Sequence, residues 1–424
     1  MEACLPLTRY KSEADFDDSC FTSLVDYLND DELIKNEGCT FVFDSEHAYL
    51  KSKLSPFKNG KGVRIVFSFN QVEDDLSFKK TVCLIYPSCN CDVLLSFKAH
   101  IEEIFFAPLI DRFNELLLLN KANINTQINV VKQEDALQFF PKRKKRTNKG
   151  SYKRVLIIGG SRLLPGGVYL SSLALSALSL GSGYACLACP DSMLHLYQSL
   201  DQPEVIYDTY KDENGYMAYD EDFLKRALSY DVIAIGMGLG VSENVYKSLI
   251  YLLSNYNNKL LIDADGLNSL SKFGTDVLIE KTCDVYLTPH MKEFERLTGV
   301  SLSNLEMDPF KYLDEFVKKY DVNVDLKSCY SYIANKKEKY INISGTPALA
   351  KGGSGDVLSG IAAGLLTKGV KGCLPLAVAS LLLGKTSENL SEKYAMDLVN
   401  ASDVCRQLKD VVNKFLTNLT TIKK

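Results

Sequence analysis

An α/β fold, with a central and mainly parallel sheet covered by helices on both faces, is predicted for most of this 424-residue chain. Short apolar runs that predict buried strands alternate with helical segments from about residue 154 onward. Glycine-rich turns follow several of these runs. The composition, 46% hydrophobic and 24% charged, is typical of a folded globular protein.

The predicted strands of this region are short segments rich in apolar residues, and the first of them is a continuous apolar run. They lie at residues 154–158, 184–189, 231–235, 259–262, 284–287 and 322–327. Helical segments separate most of them, and one helix begins at about Val168. Continuous apolar strands are typical of a parallel sheet that is buried on both faces. Ligands of such sheets bind beyond the carboxyl ends of the strands, so we expect the functional residues there.

The beginning of the chain differs in composition. Its first 140 residues hold three glycines, Gly38, Gly60 and Gly62, out of 26 in the whole chain. We predict a small α+β domain, with strands and one helix at residues 39–43, 63–69, 81–86 and 101–120. Its function is unknown, and we find no catalytic constellation in it.

We place the domain boundary near residue 133, which gives domains over residues 1–133 and 134–424. The basic run at residues 141–150 is interpreted as a solvated linker, with a nuclear or nucleic-acid signal as the alternative.

Charge and apolar patterning exclude several classes of protein. The formal net charge of -4 gives no general attraction to nucleic acid or to anionic lipid. The most apolar stretch, residues 168–189, is interrupted by Gly181 and Gly183, which favours a buried helix and strand over a membrane span. No secretory signal is visible, and the 12 cysteines are scattered. We therefore expect a cytoplasmic protein.

The strongest chemical signal is the segment L-A-K-G-G-S-G-D-V-L-S-G at residues 349–360. Gly352, Gly353 and Gly355 allow a tight turn and a close approach of the backbone to a ligand. An apolar helix follows, and the free amides at a helix N-terminus bind phosphate. Asp356 lies at the same end, where its carboxylate could accept a proton from a hydroxyl group. The alternative is an Asp N-cap after a glycine turn.

Two other segments follow predicted strands. Alternating glycines at residues 236–240 permit a ligand to approach closely, but they are equally consistent with a tight turn. Asp263, Asp265 and Asn268 cluster at a strand end, as metal or substrate ligands do, or they cap the next helix.

A helix start is also predicted after Pro289. His290 and Glu293 are three residues apart, so both can face one cleft, although such pairs are usually found at the surface. Lys327 ends a strand and could neutralise phosphate, or it could simply be solvated.

Two common nucleotide-binding motifs do not occur in the sequence. There is no G-x-x-x-x-G-K-[ST] loop. The glycine-rich turn at residues 159–167 follows the first strand of the larger domain but does not match G-x-G-x-x-G. A Rossmann oxidoreductase is therefore a poor fit.

In their order along the chain, these motifs resemble the ADP- or ATP-dependent NAD(P)H-hydrate dehydratases, which are ribokinase-like enzymes. The resemblance covers about residues 135–416, and the segment at residues 352–360 carries most of it. It implies a ribokinase-like fold and a lyase that repairs hydrated NADH and NADPH (NADHX and NADPHX). A nucleotide phosphorylates the ring hydroxyl of the substrate, and loss of phosphate restores NAD(P)H.

The resemblance also implies residue roles. Asp356 would be the base on the hydroxyl, and Gly238 and His290 would contact the hydrated dinucleotide. The transferred phosphate and the adenine nucleotide would be bound by Lys327, Ser328, Cys329, Tyr330, Ser331, Gly352, Gly353, Ser354 and Gly355. Glu293 would organise Mg²⁺, with ADP or ATP as the co-substrate. A homo-oligomer is expected.

The sequence departs from the family pattern at several positions. Met237 stands where the family usually has proline, and Ser328 and Cys329 stand where it has Gly-Ala. Met291 and Lys292 replace Pro-Gly before Glu293, and we expect the Lys292 side chain to narrow the cleft. The loop that carries Asp356 is intact, which favours an active enzyme.

Two alternatives stay open on the sequence alone. A ribokinase-like kinase of a vitamin precursor or sugar would share the loop at Asp356. A non-catalytic nucleotide-binding scaffold would explain the altered segment at residues 290–293. The N-terminal domain does not resemble the epimerase that precedes the dehydratase in many bacterial relatives.

Overall fold

The computed structural model describes residues 39–43, 63–67, 80–84, 91–97 and 113–119 in the first part of the chain. From residue 128 to 422 it describes all residues except 142–145, 149–150, 179–181 and 201. The chain forms two compact units, residues 1–128 and 129–424. Part of the predicted basic linker lies outside the described residues.

The first unit contains a five-stranded parallel sheet in the order β1-β2-β3-β4-β5. Its strands are β1 (Cys39–Phe43), β2 (Val63–Phe67), β3 (Lys80–Leu84), β4 (Cys91–Phe97) and β5 (Phe113–Leu119). The first three were predicted, and β4 was not.

The helix predicted at residues 101–120 is wrong where the chain is described, because Phe113–Leu119 is a strand. Residues 101–112 lie outside the described part. The strand ends in four consecutive leucines, and periodicity cannot separate a buried strand from a helix in so short an apolar run.

The second unit is built on a ten-stranded sheet and a small hairpin. Its strands are β6 (Ile128–Val130), β7 (Lys153–Ile158), β8 (Ser182–Pro190), β9 (Val205–Tyr210), β10 (Asp212–Glu213), β11 (Tyr216–Met217), β12 (Val232–Ile235), β13 (Lys259–Ile262), β14 (Asp284–Leu287), β15 (Asn323–Lys327), β16 (Ser331–Ala334) and β17 (Lys339–Asn342). Its helices are α1 (Gln133–Ala136), α2 (Gly166–Leu178), α3 (Leu194–Gln198), α4 (Glu221–Ala227), α5 (Glu243–Asn255), α6 (Asp265–Phe273), α7 (Met291–Thr298), α8 (Leu302–Met307), α9 (Pro309–Tyr320), α10 (Ser354–Leu366), α11 (Leu374–Ser391) and α12 (Ala401–Ile422).

The strand order in the large sheet is β6-β17-β16-β15-β14-β13-β12-β7-β8-β9. In this order, the seven strands from β15 to β9 pair in parallel. Strands β16 and β17, next to the edge strand β6, pair antiparallel and were not predicted. The chain runs outward from β7 through β8 to β9 and then returns to β12 on the other side. Ligands bind at such a switch point, beside the carboxyl ends of the strands. The predicted mainly parallel sheet is confirmed.

Both faces of the sheet are covered. Side chains alternate between faces along a strand. Val155 and Ile157 of β7 pack into a core cluster with α2, α10, α11 and α12. Their neighbours Leu156 and Ile158 lie outside that cluster but are also fully buried. Helix α10 packs against α2 and lies over β7, β12 and β13, so its N-terminus reaches the switch point.

Candidate active site

The loops after β7 and β12 meet at the switch point. The Gly160 amide donates to the Met237 carbonyl over 2.8 Å. Gly238 has φ +71°, and a Cβ there would lie 2.4 Å from the Leu164 carbonyl oxygen. Gly236 has φ +130°, and a Cβ there would lie 1.9 Å from the Asp263 carbonyl oxygen. Gly236 and Gly238 are therefore required, because a side chain at either position would collide with a backbone carbonyl of a neighbouring segment. Gly238 lies at the switch point.

The N-terminus of α10 supplies the anion cradle. Gly353 has φ +96° and is the N-cap of this 13-residue helix, whose first turn contains Ser354, Gly355 and Asp356. A Cβ at Gly353 would lie 2.6 Å from Leu170 Cδ1, so this turn packs closely against α2. The free amides and the positive end of the helix dipole favour an anion here. Asp356 does not act as an N-cap, which removes the structural alternative raised for it.

The Asp356 carboxyl faces the start of α2. A Cβ at Gly167 would lie 3.0 Å from Asp356 Oδ1, so the glycine leaves space beside this oxygen. Ser171 Oγ donates to the Asp356 carbonyl over 2.7 Å and joins α2 to α10. Burial raises the pKa of Asp356 to about 7; Asp263 and Asp265 add to the rise, while Lys327 opposes it. The carboxylate can therefore take up a proton near neutral pH.

Lys327 does not project into solvent. Its Nζ lies 3.2 Å from Asp263 Oδ1, and the two side chains are 19% and 2% exposed. The second carboxylate oxygen of Asp263 accepts from Ser359 Oγ over 2.6 Å. A Cβ at Gly355 would lie 3.2 Å from Lys327 Nζ, so the ammonium lies beside the first turn of α10. The interpretation of Lys327 as a solvated lysine is wrong.

His290 and Glu293 form a reciprocal cap at the start of α7, as the predicted helix start requires. The His290 amide donates to Glu293 Oε2 over 2.8 Å, and the Glu293 amide donates to His290 Nδ1 over 3.2 Å. The His290 side chain is 49% exposed and the Glu293 side chain 7% exposed. Burial raises the pKa of Glu293 to about 7 and lowers the pKa of His290. The imidazole is thus the more accessible member of the pair.

The segment predicted to line the nucleotide is the turn between β15 and β16. The Lys327 amide donates to the Pro289 carbonyl over 2.8 Å, which joins this turn to the start of α7. Ser328 and Cys329 are exposed, whereas Tyr330 and Ser331 are partly buried. Lys292 is also exposed and occupies the first turn of α7.

Asp265 and Asn268 neither cap α6 nor project freely. Asp265 Oδ2 accepts from the Gly240 amide over 2.8 Å and holds the glycine loop after β12. Asn268 Oδ1 accepts from Arg296 Nη1 over 2.5 Å. One carboxylate oxygen of Asp265 and the side-chain oxygen of Asn268 are thus already bonded within the protein. Among the described residues, no group of three or more His, Cys, Asp or Glu side chains is placed to hold a metal ion.

Sequence reasoning missed two serines that organise the site. Ser359 binds Asp263, and Ser171 binds the Asp356 backbone. Both are fully buried and lie in apolar helices, where a serine carries no local signal of function. Each bond joins residues far apart in sequence, so it is visible only once the helices are packed.

Comparisons with known proteins identify the family. The sequence profile of NAD(P)H-hydrate dehydratase matches residues 155–410. The bifunctional NAD(P)H-hydrate repair enzyme Nnr of Thermofilum pendens is 34% identical over 235 residues, which are 54% of this chain and 44% of that protein. The ADP-dependent (S)-NAD(P)H-hydrate dehydratase of Staphylococcus aureus is 33% identical over 226 residues, 52% of this chain and 75% of that protein. The chain spans about half the length of the bifunctional relatives it matches.

Solved structures give the same result. The Bacillus subtilis ADP/ATP-dependent NAD(P)H-hydrate dehydratase, co-crystallized with ATP/Mg²⁺, superposes with a TM-score of 0.59 at 25% identity and covers 68% of this chain and 99% of its own. A ribokinase-like superfamily protein of Enterococcus faecalis, 22% identical, has a TM-score of 0.59, covers 70% of this chain and 99% of its own, and supports the ribokinase-like fold. No helix in the described part of the chain is long and apolar enough to cross a membrane. This chain belongs to the NAD(P)H-hydrate dehydratase family.

Proposed function

We propose that this protein is a hydro-lyase that converts (6S)-NADHX and (6S)-NADPHX to NADH and NADPH with ADP or ATP as co-substrate. One observation carries the proposal beyond family membership. The Asp356 carboxyl has a pKa raised to about 7 and lies in the first turn of a helix whose free amides form an anion cradle. A base and a phosphate site on one helical turn suit phosphoryl transfer to a hydroxyl group.

The proposed reaction has two stages. Asp356 accepts the proton of the ring hydroxyl while that oxygen forms a bond to the terminal phosphorus and the shortened nucleotide leaves. The amides at Gly352, Gly353 and Gly355 hold the transferred phosphoryl group, whereas the Ser354 amide donates to the Lys351 carbonyl over 3.4 Å. Phosphate then departs with the electrons of its C–O bond, and loss of a proton from the adjacent carbon restores the double bond of NAD(P)H.

Gly238 and His290 are proposed to contact the hydrated dinucleotide. Gly238 is supported by its place where the loops after β7 and β12 meet, and His290 by its half-exposed side chain and its backbone bridge to Lys327. The exposed turn at residues 328–331 is proposed to line the nucleotide. Because Lys327 is held by Asp263, we propose that it acts on the phosphates through its charge.

Mg²⁺ is proposed to enter with the nucleotide phosphates. The protein offers no cage of three or more ligands in the described residues. A nucleotide-carried ion needs only one or two carboxylates, and the buried Glu293 is the candidate contact. When bound, Mg²⁺ neutralises phosphate charge; the side chains described above position the hydroxyl and accept its proton.

We further propose that the enzyme is cytoplasmic and homo-oligomeric. It acts on small molecules, and neither nucleic acid nor a membrane is a partner. The described thiols that are buried, including Cys186 and Cys189, are free, which suits a reducing compartment. No role is proposed for residues 1–133.

The direct test is an assay of the full chain with NADHX, Mg²⁺ and either ADP or ATP. We expect NADH absorbance to return only when nucleotide is present, with release of one phosphate per NADH formed. If no NADH forms, and a parallel assay with a vitamin precursor or a sugar yields a stable phosphorylated product, the protein is instead a kinase. Nucleotide binding without turnover of any substrate would identify a non-catalytic scaffold.

A further inference from the structure

A buried polar chain joins three elements beneath the proposed phosphate cradle. Ser359 of α10 donates to Asp263, which follows β13, and Asp263 faces Lys327 at the end of β15. The distances are 2.6 Å for Ser359 Oγ to Asp263 Oδ2 and 3.2 Å for Lys327 Nζ to Asp263 Oδ1. Asp263 is 1% exposed and Ser359 is fully buried. Burying these groups is costly unless they are paired, so the three side chains are held in this arrangement.

The series Ser359–Asp263–Lys327 lies beside the proposed phosphate cradle. Ser359 lies four residues after Gly355 on α10, so both residues are on the same face of the helix. The Lys327 ammonium reaches that face beside Gly355, where an added Cβ would be 3.2 Å away. Helix α10 therefore binds Asp263 through Ser359 in its second turn. Its first turn, at Gly355, lies beside the Lys327 ammonium that pairs with Asp263.

We infer that Asp263, anchored by Ser359, is a positioning residue for phosphoryl transfer: it fixes the Lys327 ammonium beside the first turn of α10 and keeps a negative charge near Asp356. This inference rests on the proposed function and deepens it. Without Asp263, the ammonium would lose its anchor at the cradle, and Asp356 would lose its neighbouring anion. A purely structural salt bridge would have neither consequence.

The charges that act on Asp356 are few. Asp263 and Asp265 raise its pKa, and Lys327 lowers it. Helix α2, which packs against α10, carries no charged residue. On the other two helices that contact α10, Lys385 pairs with Glu388 and Arg406 pairs with Asp403, so these charges are compensated locally. The pH dependence of turnover therefore reports on Asp263, Asp265 and Lys327, of which only Asp263 and Lys327 belong to the buried series.

The test compares Asp263→Asn, Lys327→Met and the double variant in the full chain, with NADHX, ADP and Mg²⁺. Removing Asp263 lowers the pKa of Asp356, so the acid limb of the kcat/KM profile moves to lower pH by about half a unit or more. Removing Lys327 moves it to higher pH. We expect each single change to lower kcat by about 10- to 100-fold, and the double variant to lose much less than the product.

Two further variants keep the test informative if Asp263→Asn folds poorly. Ser359→Ala is expected to lower kcat several-fold, and Ser359→Thr, which keeps the hydroxyl, is expected to retain most of it. Ser248→Ala is the matched control, because Ser248 is a buried serine of α5 whose hydroxyl donates to the Asn244 carbonyl over 2.9 Å within its own helix. It is expected to lower the melting temperature without moving the pH profile.

The inference is overturned if Asp263→Asn and Ser359→Ala keep the wild-type pH profile and kcat, or if the losses from Asp263→Asn and Lys327→Met multiply. Failure of the proposed function is distinct, because the wild-type chain would then form no NADH from NADHX.

Discussion

The two ends of strand β15 carry ion pairs of nearly equal length in opposite surroundings. At the carboxyl end, Lys327 and Asp263 are 3.2 Å apart, with side chains 19% and 2% exposed. At the amino end, Asp321 and Lys336 are 3.3 Å apart, with side chains 69% and 42% exposed. The amino-end pair lines an open cavity of about 600 Å³ that also contains Lys281, Asp284 and Lys371.

The difference shows that distance does not decide what a charge pair does. Water screens the exposed pair, so each charge has little effect on its neighbours. Burial leaves the charges at the other end unscreened, and there the pKa values of both Asp356 and Glu293 are raised to about 7. Carboxyl groups that titrate near neutral pH are suited to proton transfer.

The largest effect is expected at the carboxyl end, from Asp356→Asn. Turnover of NADHX should fall by about 10³-fold or more, because the amide cannot accept the hydroxyl proton. Nucleotide binding should be largely retained. Equal turnover in wild type and variant would rule out the base role.

The same variant has a stability signature. A carboxyl whose folded pKa is raised to about 7 stabilises the protein fully below its unfolded pKa, and this contribution is lost as pH rises through 7. Asp356→Asn does not ionise, so its melting temperature at pH 8 should exceed that of wild type by a few degrees. A variant that is inactive because it is misfolded would melt lower, which separates the two explanations.

A smaller effect is expected from pH alone. If Asp356 must be ionised, kcat/KM of the wild type should rise about tenfold per pH unit below its pKa of about 7 and level off above it. Glu293 titrates in the same range, so Glu293→Gln is the control. If the acid limb of the pH profile persists in Glu293→Gln, it reports the titration of Asp356. If the limb is lost, it reports the titration of Glu293.

The smallest effect is expected at the amino end. Lys336→Ala removes the exposed partner of Asp321 and should change the free energy of unfolding by less than about 1 kcal/mol, with kcat and the pH profile unchanged. Denaturant unfolding measures the change in the free energy of unfolding, and the NADHX assay measures kcat and the pH profile. A large loss of activity would show that the amino end also takes part in the function.

The fold was predictable where local sequence decides it. Continuous apolar runs such as those of β7, β12 and β13 are buried on both faces and were recognised as strands. Strand β17, Lys339–Asn342, which lies next to the edge strand β6, contains only two apolar residues and was missed. The error at Phe113–Leu119 has the opposite cause, because an apolar run is compatible with both a strand and a helix.

The candidate site was predictable in its location but not in its bonds. Glycines and acids that follow strands had to meet at one edge of a parallel sheet, and the structure brings Gly238, Asp263, His290 and Asp356 there. The bond from Ser359 to Asp263 spans 96 residues, and no local pattern announces it. Whether Lys327 is solvated or buried depends on the same packing, so the sequence left both interpretations open.

The first turn of α10 has a consequence for how the protein can diverge. Cradle and base occupy consecutive residues, 352 to 356, and share one rigid scaffold. Insertions in distant loops, or exchange of the N-terminal unit, shift both together and leave their separation intact. Substitutions such as Met237 and Lys292 can therefore accumulate around the reacting atoms while the catalytic geometry is inherited as one block.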